Sequence, residues 1–128
     1  MNMPTSKKLK ILVVDDETIN LEIINEILSF ESEHEVITTT SGAHCLELMK
    51  ETHPDLVLLD IMMDGIDGLE VCRQIKSNPE FSDVYIILVS AKALPNETQE
   101  GYDVGANRYL TKPFAEKELL DLIDEQFG

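Results

Sequence analysis

Positive charge is what this chain has least of. Ten lysines and arginines stand against 25 aspartates and glutamates, for a formal net charge of −15. Such a balance argues against direct binding to nucleic acid or to an anionic membrane surface, and suits basic partner surfaces and cations held by carboxylates. Cysteine is scarce too. Cys45 and Cys72 are the only two, without CxxC spacing. That makes a disulfide framework a poor reading, fits a reducing, cytoplasmic setting, and leaves buried structural thiols as the expectation. The three histidines, His34, His44 and His53, lack metal-type spacing such as HExxH and read as structural. No apolar stretch is long enough to span a bilayer. Repeats, low-complexity tracts and internal linkers are missing as well. The first residues carry lysines but no apolar stretch before Leu9, so residues 1–8 read as a flexible arm rather than a signal peptide. Residues 9–128 are then one domain.

What is present is an alternation. Hydrophobic residues make up 43% of the chain, enough for an ordinary core. Ile11-Leu12-Val13-Val14, Asp55-Leu56-Val57-Leu58-Leu59 and Tyr85-Ile86-Ile87-Leu88-Val89 are apolar runs of the kind that suits strands buried on both faces of a parallel sheet. Val36–Thr40 and Tyr109–Thr111 are weaker strand candidates. Between them lie segments of helical period. Ile19, Ile23 and Ile27 with Leu21, Ile24 and Leu28 form one broad apolar stripe. Ser41 and Asp67 are placed to cap the next two helices, and Gly105 suits the end of a fourth helix over Pro95–Val104. A last helix carries Leu119, Leu120, Ile123 and Phe127. Five strand–helix alternations predict an α/β doubly wound domain with helices on both faces of the sheet.

In an open α/β sheet, ligands bind beyond the carboxyl ends of the strands. The first run ends in Asp15-Asp16, the third strand in Asp60, the fourth in Ser90 and the fifth in Lys112. Three carboxylates, a hydroxyl and an ammonium are therefore expected at one edge. Carboxylates packed together repel unless neutralised, and a hard divalent cation such as Mg²⁺ or Mn²⁺ neutralises them through oxygen ligands. Lys112 adds positive charge on a flexible stem. Together these groups suit an anion bridging a metal and a lysine, with a phosphoryl group the obvious candidate. In that chemistry Asp60 attacks phosphorus in line and forms an acyl phosphate, while metal and lysine stabilise the charge on the equatorial oxygens.

Val13-Val14-Asp15-Asp16-Glu17, Leu58-Leu59-Asp60, Asp67-Gly68, Ser90-Ala91, Gly105-Ala106 and Lys112-Pro113-Phe114, in that order, resemble the receiver domains of response regulators, from Lys10 to about Phe127. The resemblance implies a five-stranded parallel sheet in the flavodoxin-like order 2-1-3-4-5 with five helices. It implies Asp60 as phosphoacceptor. It implies a metal held by Asp16 directly, Asp15 largely through water, Asp60 and the backbone carbonyl of Met62. Ser90 and Lys112 would bind phosphoryl oxygens, Tyr109 would be the aromatic switch, and the Lys112–Pro113 peptide would be cis. The implied partners are a sensor histidine kinase or a histidine phosphotransfer protein, and a downstream output protein or attached domain. The segment 95–104, with the thinnest apolar stripe, would form the output face together with the last strand and last helix, and phosphorylation-dependent dimerisation through that face is a further expectation. Catalysis would be limited to the domain's own phosphorylation and dephosphorylation. Asp16-Glu17-Thr18-Ile19-Asn20-Leu21 resembles receivers joined to hybrid kinases or signalling enzymes, which favours a domain taken from a larger protein. The loop Met63-Asp64-Gly65 departs from the Met-Pro of many receivers, and Asp64 reads as a solvated loop residue.

Two rival readings have less support. A phosphohydrolase with an aspartate nucleophile would want a carboxylate two residues after Asp60, where Met62 stands. A flavin carrier of the same topology would want a hydroxyl- and glycine-rich loop after the first strand, where Asp15-Asp16-Glu17 would repel a phosphate.

Overall fold

Strands and helices alternate strictly: β1 (Lys10–Val14), α1 (Thr18–Phe30), β2 (Glu35–Thr39), α2 (Gly42–Thr52), β3 (Leu56–Asp60), α3 (Gly68–Ser77), β4 (Tyr85–Ser90), α4 (Pro95–Asp103), β5 (Arg108–Thr111) and α5 (Glu116–Phe127). This computed structural model describes residues 8–30, 34–92 and 94–128. The arm expected over residues 1–8 lies, but for Lys8, outside the described residues.

All pairings are parallel, and the sheet order is β2-β1-β3-β4-β5, as the resemblance implied. The apolar runs take the centre: every residue of β3 and β4 is buried, and all of β1 except Lys10, whereas the edge strand β2 buries only Thr39. Strand β2 starts one residue earlier than the β-branched run suggested. Glu35 pairs with Lys10, and the Thr39 carbonyl accepts the Asp15 N–H at 3.2 Å, which closes the ladder there.

Because side chains alternate along a strand, each sheet face has its own core. Ile11, Val13, Leu56, Leu58 and Ile87 face α1 and α5, meeting Leu21, Ile24, Leu28, Leu119 and Ile123. Leu12, Val14, Val57, Leu59, Ile86 and Leu88 face the other way, onto Cys45 and Met49 of α2 and Val71, Cys72 and Ile75 of α3. Both cysteines are free and buried. Burial pushes the Cys45 thiol up to about 12 and Cys72 up to about 11, so neither forms a thiolate near neutral pH. The histidines serve locally. The His34 ring accepts the Leu9 N–H, His44 bonds Thr39 Oγ1, and His53 ends α2 in a left-handed conformation.

Helix α1 corrects one expectation. Leu21, Ile24 and Leu28 are buried, but Ile19 and Ile23 are 59% and 50% exposed. At 100° per residue the row 19, 23, 27 rotates away from the row 21, 24, 28, so a six-residue stripe is too broad to bury whole. The caps hold as expected. Ser41 Oγ accepts the His44 N–H at 3.2 Å, and Asp67 Oδ1 accepts the Glu70 N–H at 2.9 Å. Gly105 follows α4 with φ +104°.

Candidate functional site

Strand register assembles the site. Val14 pairs with Leu59, Asp60 with Val89, and Ser90 with Thr111. The residues that end or follow these strands therefore share the carboxyl edge of the sheet. One oxygen each from Asp15, Asp16 and Asp60 lies within 4.8 Å of the others. Asp15 and Asp60 are buried and Asp16 is half-buried. Lys112 Nζ stands 3.0 Å from Asp15 Oδ2 and 3.4 Å from Asp60 Oδ2. The Lys112–Pro113 peptide is cis.

Each carboxylate is oriented by its own loop. Asp15 Oδ1 accepts the Glu17 N–H at 2.9 Å, and its Oδ2 accepts the Asn20 amide at 3.2 Å. Asp60 Oδ1 accepts the Met62 N–H at 3.3 Å. A Cβ at residue 68 would lie 2.2 Å from the Asp60 carbonyl oxygen, so Asp67-Gly68 lets α3 begin directly over the end of β3. Met62 and Asp64 are exposed on the intervening loop.

The electrostatics follow from this crowding. Burial, then the charge of Asp15, pushes the Asp60 carboxyl up to about 6, while Lys112 and the Met62 N–H pull the other way. Burial alone would lower Lys112, but its hydrogen bond to Asp15 and the charges of Asp60 and Asp15 outweigh it and leave it raised. One ammonium thus faces three carboxylates. The donor set is all oxygen, anionic and incompletely neutralised, which fits a hard divalent cation.

Ser90 and Tyr109 meet through one loop residue. Ser90 is fully buried, and its Oγ accepts the Lys92 N–H at 3.1 Å. The Tyr109 hydroxyl donates to the Lys92 carbonyl at 2.7 Å. The Lys112 N–H donates to the Ser90 carbonyl at 2.8 Å, tying β5 to β4 at the pocket. Beside Lys112 a shallow groove of about 420 Å³ is lined by Ile23, Ile24, Ile27, Pro113 and Phe114. Two contributors escaped the sequence reading: Asn20, which orients Asp15, and Thr39, whose carbonyl holds the Asp15 backbone. Thr39 acts through its backbone carbonyl, so its residue type gives no signal, whereas Asn20 acts through its side-chain amide, five residues after Asp15.

Comparison with known proteins agrees with this geometry. The family model described as "Response regulator receiver domain" matches residues 11–124. The response regulator MprA of Mycobacterium sp. (strain KMS) is 42% identical over 112 residues, covering 88% of this chain and 47% of that protein. The chain therefore spans about half the length of the curated relatives it matches. A crystal structure of a candidate response regulator from Chloroflexus aurantiacus J-10-fl superposes with a TM-score of 0.87 at 28% identity, covering 93% of this chain and 97% of that one. The Mn²⁺-bound form of response regulator Rcp1 superposes with a TM-score of 0.77 at 26% identity, covering 91% and 90%.

Proposed function

The chain belongs to the response regulator receiver domain family, and on that premise we propose that Asp60 is its phosphoacceptor. The observation that supports this reading is the buried Asp60 carboxylate, clustered with Asp15 and Asp16 and 3.4 Å from the Lys112 ammonium, which also bonds Asp15. In the proposed reaction an Asp60 oxygen bonds to phosphorus in line as the donor P–N bond breaks. The departing imidazole nitrogen keeps the electron pair of that bond. Asp60 becomes an acyl phosphate, and hydrolysis returns carboxylate and inorganic phosphate. Lys112 turns from Asp60 to an equatorial phosphoryl oxygen, and Ser90 Oγ leaves the Lys92 N–H to donate to another. Asp15, Asp16, Asp60 and the Met62 carbonyl would hold Mg²⁺ or Mn²⁺, which neutralises developing phosphoryl charge when bound. The Mn²⁺ carried by Rcp1 supports that choice. Self-catalysis is then confined to this one phosphoryl group, and Met62, with no carboxylate, cannot supply the acid/base of a general phosphohydrolase.

The phosphoryl donor in this reading is the phosphohistidine of a sensor kinase or a histidine phosphotransfer protein, working in the cytoplasm. The groove lined by Ile23, Ile27, Pro113 and Phe114 adjoins Lys112, so a helical donor seated there would bring its histidine to the pocket. Output passes through the face made by α4, β5 and α5 to a partner, an attached domain or a second copy of the chain.

Phosphorylation with acetyl phosphate or phosphoramidate in Mg²⁺, followed by intact mass measurement, tests the assignment. One phosphoryl group is expected on the native chain, none on Asp60→Asn, and a severe loss on Asp16→Ala. Stoichiometric labelling of Asp60→Asn at another residue, or unchanged labelling of Asp16→Ala in saturating Mg²⁺, would overturn it.

A further inference from the structure

Helix α4 buries one residue against the sheet, and that residue has no side chain. Its sequence, PNETQEGYD, leaves Gly101 alone on the buried side. Glycine is a poor choice for a helix interior, because it gives up the most backbone freedom and offers nothing to pack. The backbone does not require it here: Gly65 and Gly105 adopt φ of +80° and +104°, whereas Gly101 does not leave the negative region. The reason lies in what stands opposite. A Cβ at residue 101 would come within 2.9 Å of Tyr109 Cδ2, 3.0 Å of Leu88 Cδ1 and 3.2 Å of Tyr109 Cε2. Two of these three atoms are the edge of one aromatic ring, which cannot yield without turning as a whole.

We propose that Gly101 is a positioning residue for the conformational switch: its bare Cα is the seat of the Tyr109 ring, which locks ring position to helix position. The inference rests on the reading of Tyr109 as the switch residue. The far end of the same ring is held by its hydroxyl on the Lys92 carbonyl at 2.7 Å, and the Lys92 N–H holds Ser90 Oγ at 3.1 Å. A continuous set of contacts therefore runs Ser90–Lys92–Tyr109–Gly101. When Ser90 turns toward a phosphoryl group, Lys92 loses its hydroxyl acceptor. The tyrosine hydroxyl follows the Lys92 carbonyl, and the ring carries α4 with it because nothing separates the two. A methyl group at residue 101 breaks this arrangement by forcing either the ring outward or the helix off the sheet.

The test is a four-protein urea series without metal or phosphodonor: the native chain, Gly101→Ala, Tyr109→Ala and the double variant. In the native background Gly101→Ala lowers the unfolding midpoint. In the Tyr109→Ala background the same change lowers it by much less, because the two ring contacts are gone, alanine is the better helix former, and only the Leu88 methyl has still to give way. A midpoint that falls as far in the Tyr109→Ala background as in the native one, or that rises in the native background, overturns the seat. If Gly101→Ala alone does not fold, recovery in the double variant is the expected result and continued failure refutes it. A second readout follows the ring itself. With 3-fluorotyrosine incorporated, the ¹⁹F resonance lost in Tyr109→Phe is expected to shift in Gly101→Ala, while that of Tyr85 stays in place. An unmoved Tyr109 resonance contradicts the proposal. Neither experiment uses a phosphoryl group, so their failure is distinguishable from a failure of the Asp60 assignment.

Discussion

Helices α1 and α4 both begin within a few residues of the acidic pocket, and they are held to the sheet by opposite means. Helix α1 starts two residues after Asp16 and buries Leu21, Ile24 and Leu28 among the side chains of β1, β3 and α5. Helix α4 starts five residues after Ser90 and buries Gly101 alone. Burying an aliphatic side chain contributes about 1.5–3 kcal/mol, and glycine contributes none of it. One wall of the pocket is therefore anchored by an apolar row, while the other rests on a ring edge and a few polar contacts. Under the proposed function, fixed carboxylates would keep the phosphoryl site in register. A loosely held helix behind Ser90 can change position at low cost, as segments that move in signalling must.

The strongest way to break this contrast is to truncate each helix. Ile24→Ala on α1 is expected to cost about 2–5 kcal/mol of unfolding free energy, the range for a buried aliphatic deletion. Gln99→Ala on α4, which removes an exposed pairing with Asp103, is expected to stay within about 0.5 kcal/mol. Urea denaturation gives both numbers. A Gln99→Ala cost that matched Ile24→Ala would mean that α4 is anchored by surface contacts.

The pocket between the helices sharpens the comparison through pH. Asp60 titrates near 3.8 when unfolded and is pushed up to about 6 by burial and by Asp15. A raised carboxyl contributes stability that is present in full below about 3.8 and lost as pH rises through about 6. In metal-free buffer Asp60→Asn should therefore be nearly neutral at pH 4 and increasingly stabilising toward pH 7.5. The gain is bounded at about 3 kcal/mol by the 1.36 kcal/mol that each unit represents. Added Mg²⁺ should shrink it, because the native carboxylate then has a cation. A constant difference across that pH range would contradict the electrostatic account.

A smaller effect probes the polar attachment of the second wall. Tyr109→Phe removes the hydroxyl bonded to the Lys92 carbonyl and is expected to cost about 0.5–1.5 kcal/mol. Faster amide exchange in the first turn of α4, with α1 unchanged, is the accompanying sign.

Much of this architecture was legible because its signals are local. Apolar runs named β1, β3 and β4, the residues ending them named the pocket, and Ser41, Asp67 and Gly105 marked helix ends through short-range bonding that any chain would use. The misreadings and omissions are tertiary. The exposure of Ile19 and Ile23 depends on how far α1 is rotated against the sheet, which composition does not reveal. Lys112 stands closer to Asp15 than to Asp60, a preference set by strands 97 residues apart in the chain. The Lys92 backbone joins Ser90 to Tyr109 through atoms that every residue has. Gly101 looks like a weak point in a helix until β5 is brought beneath it.

The central claim is that a phosphoryl group on Asp60 moves the α4 wall and spares the α1 wall. Amide hydrogen exchange of the full chain in Mg²⁺, with and without beryllofluoride as phosphoryl mimic, measures it directly. Protection is expected to change across residues 94–104 and around Tyr109, with α1 unaltered. Changes confined to the loop after Asp60, with α4 as unresponsive as α1, would contradict the account.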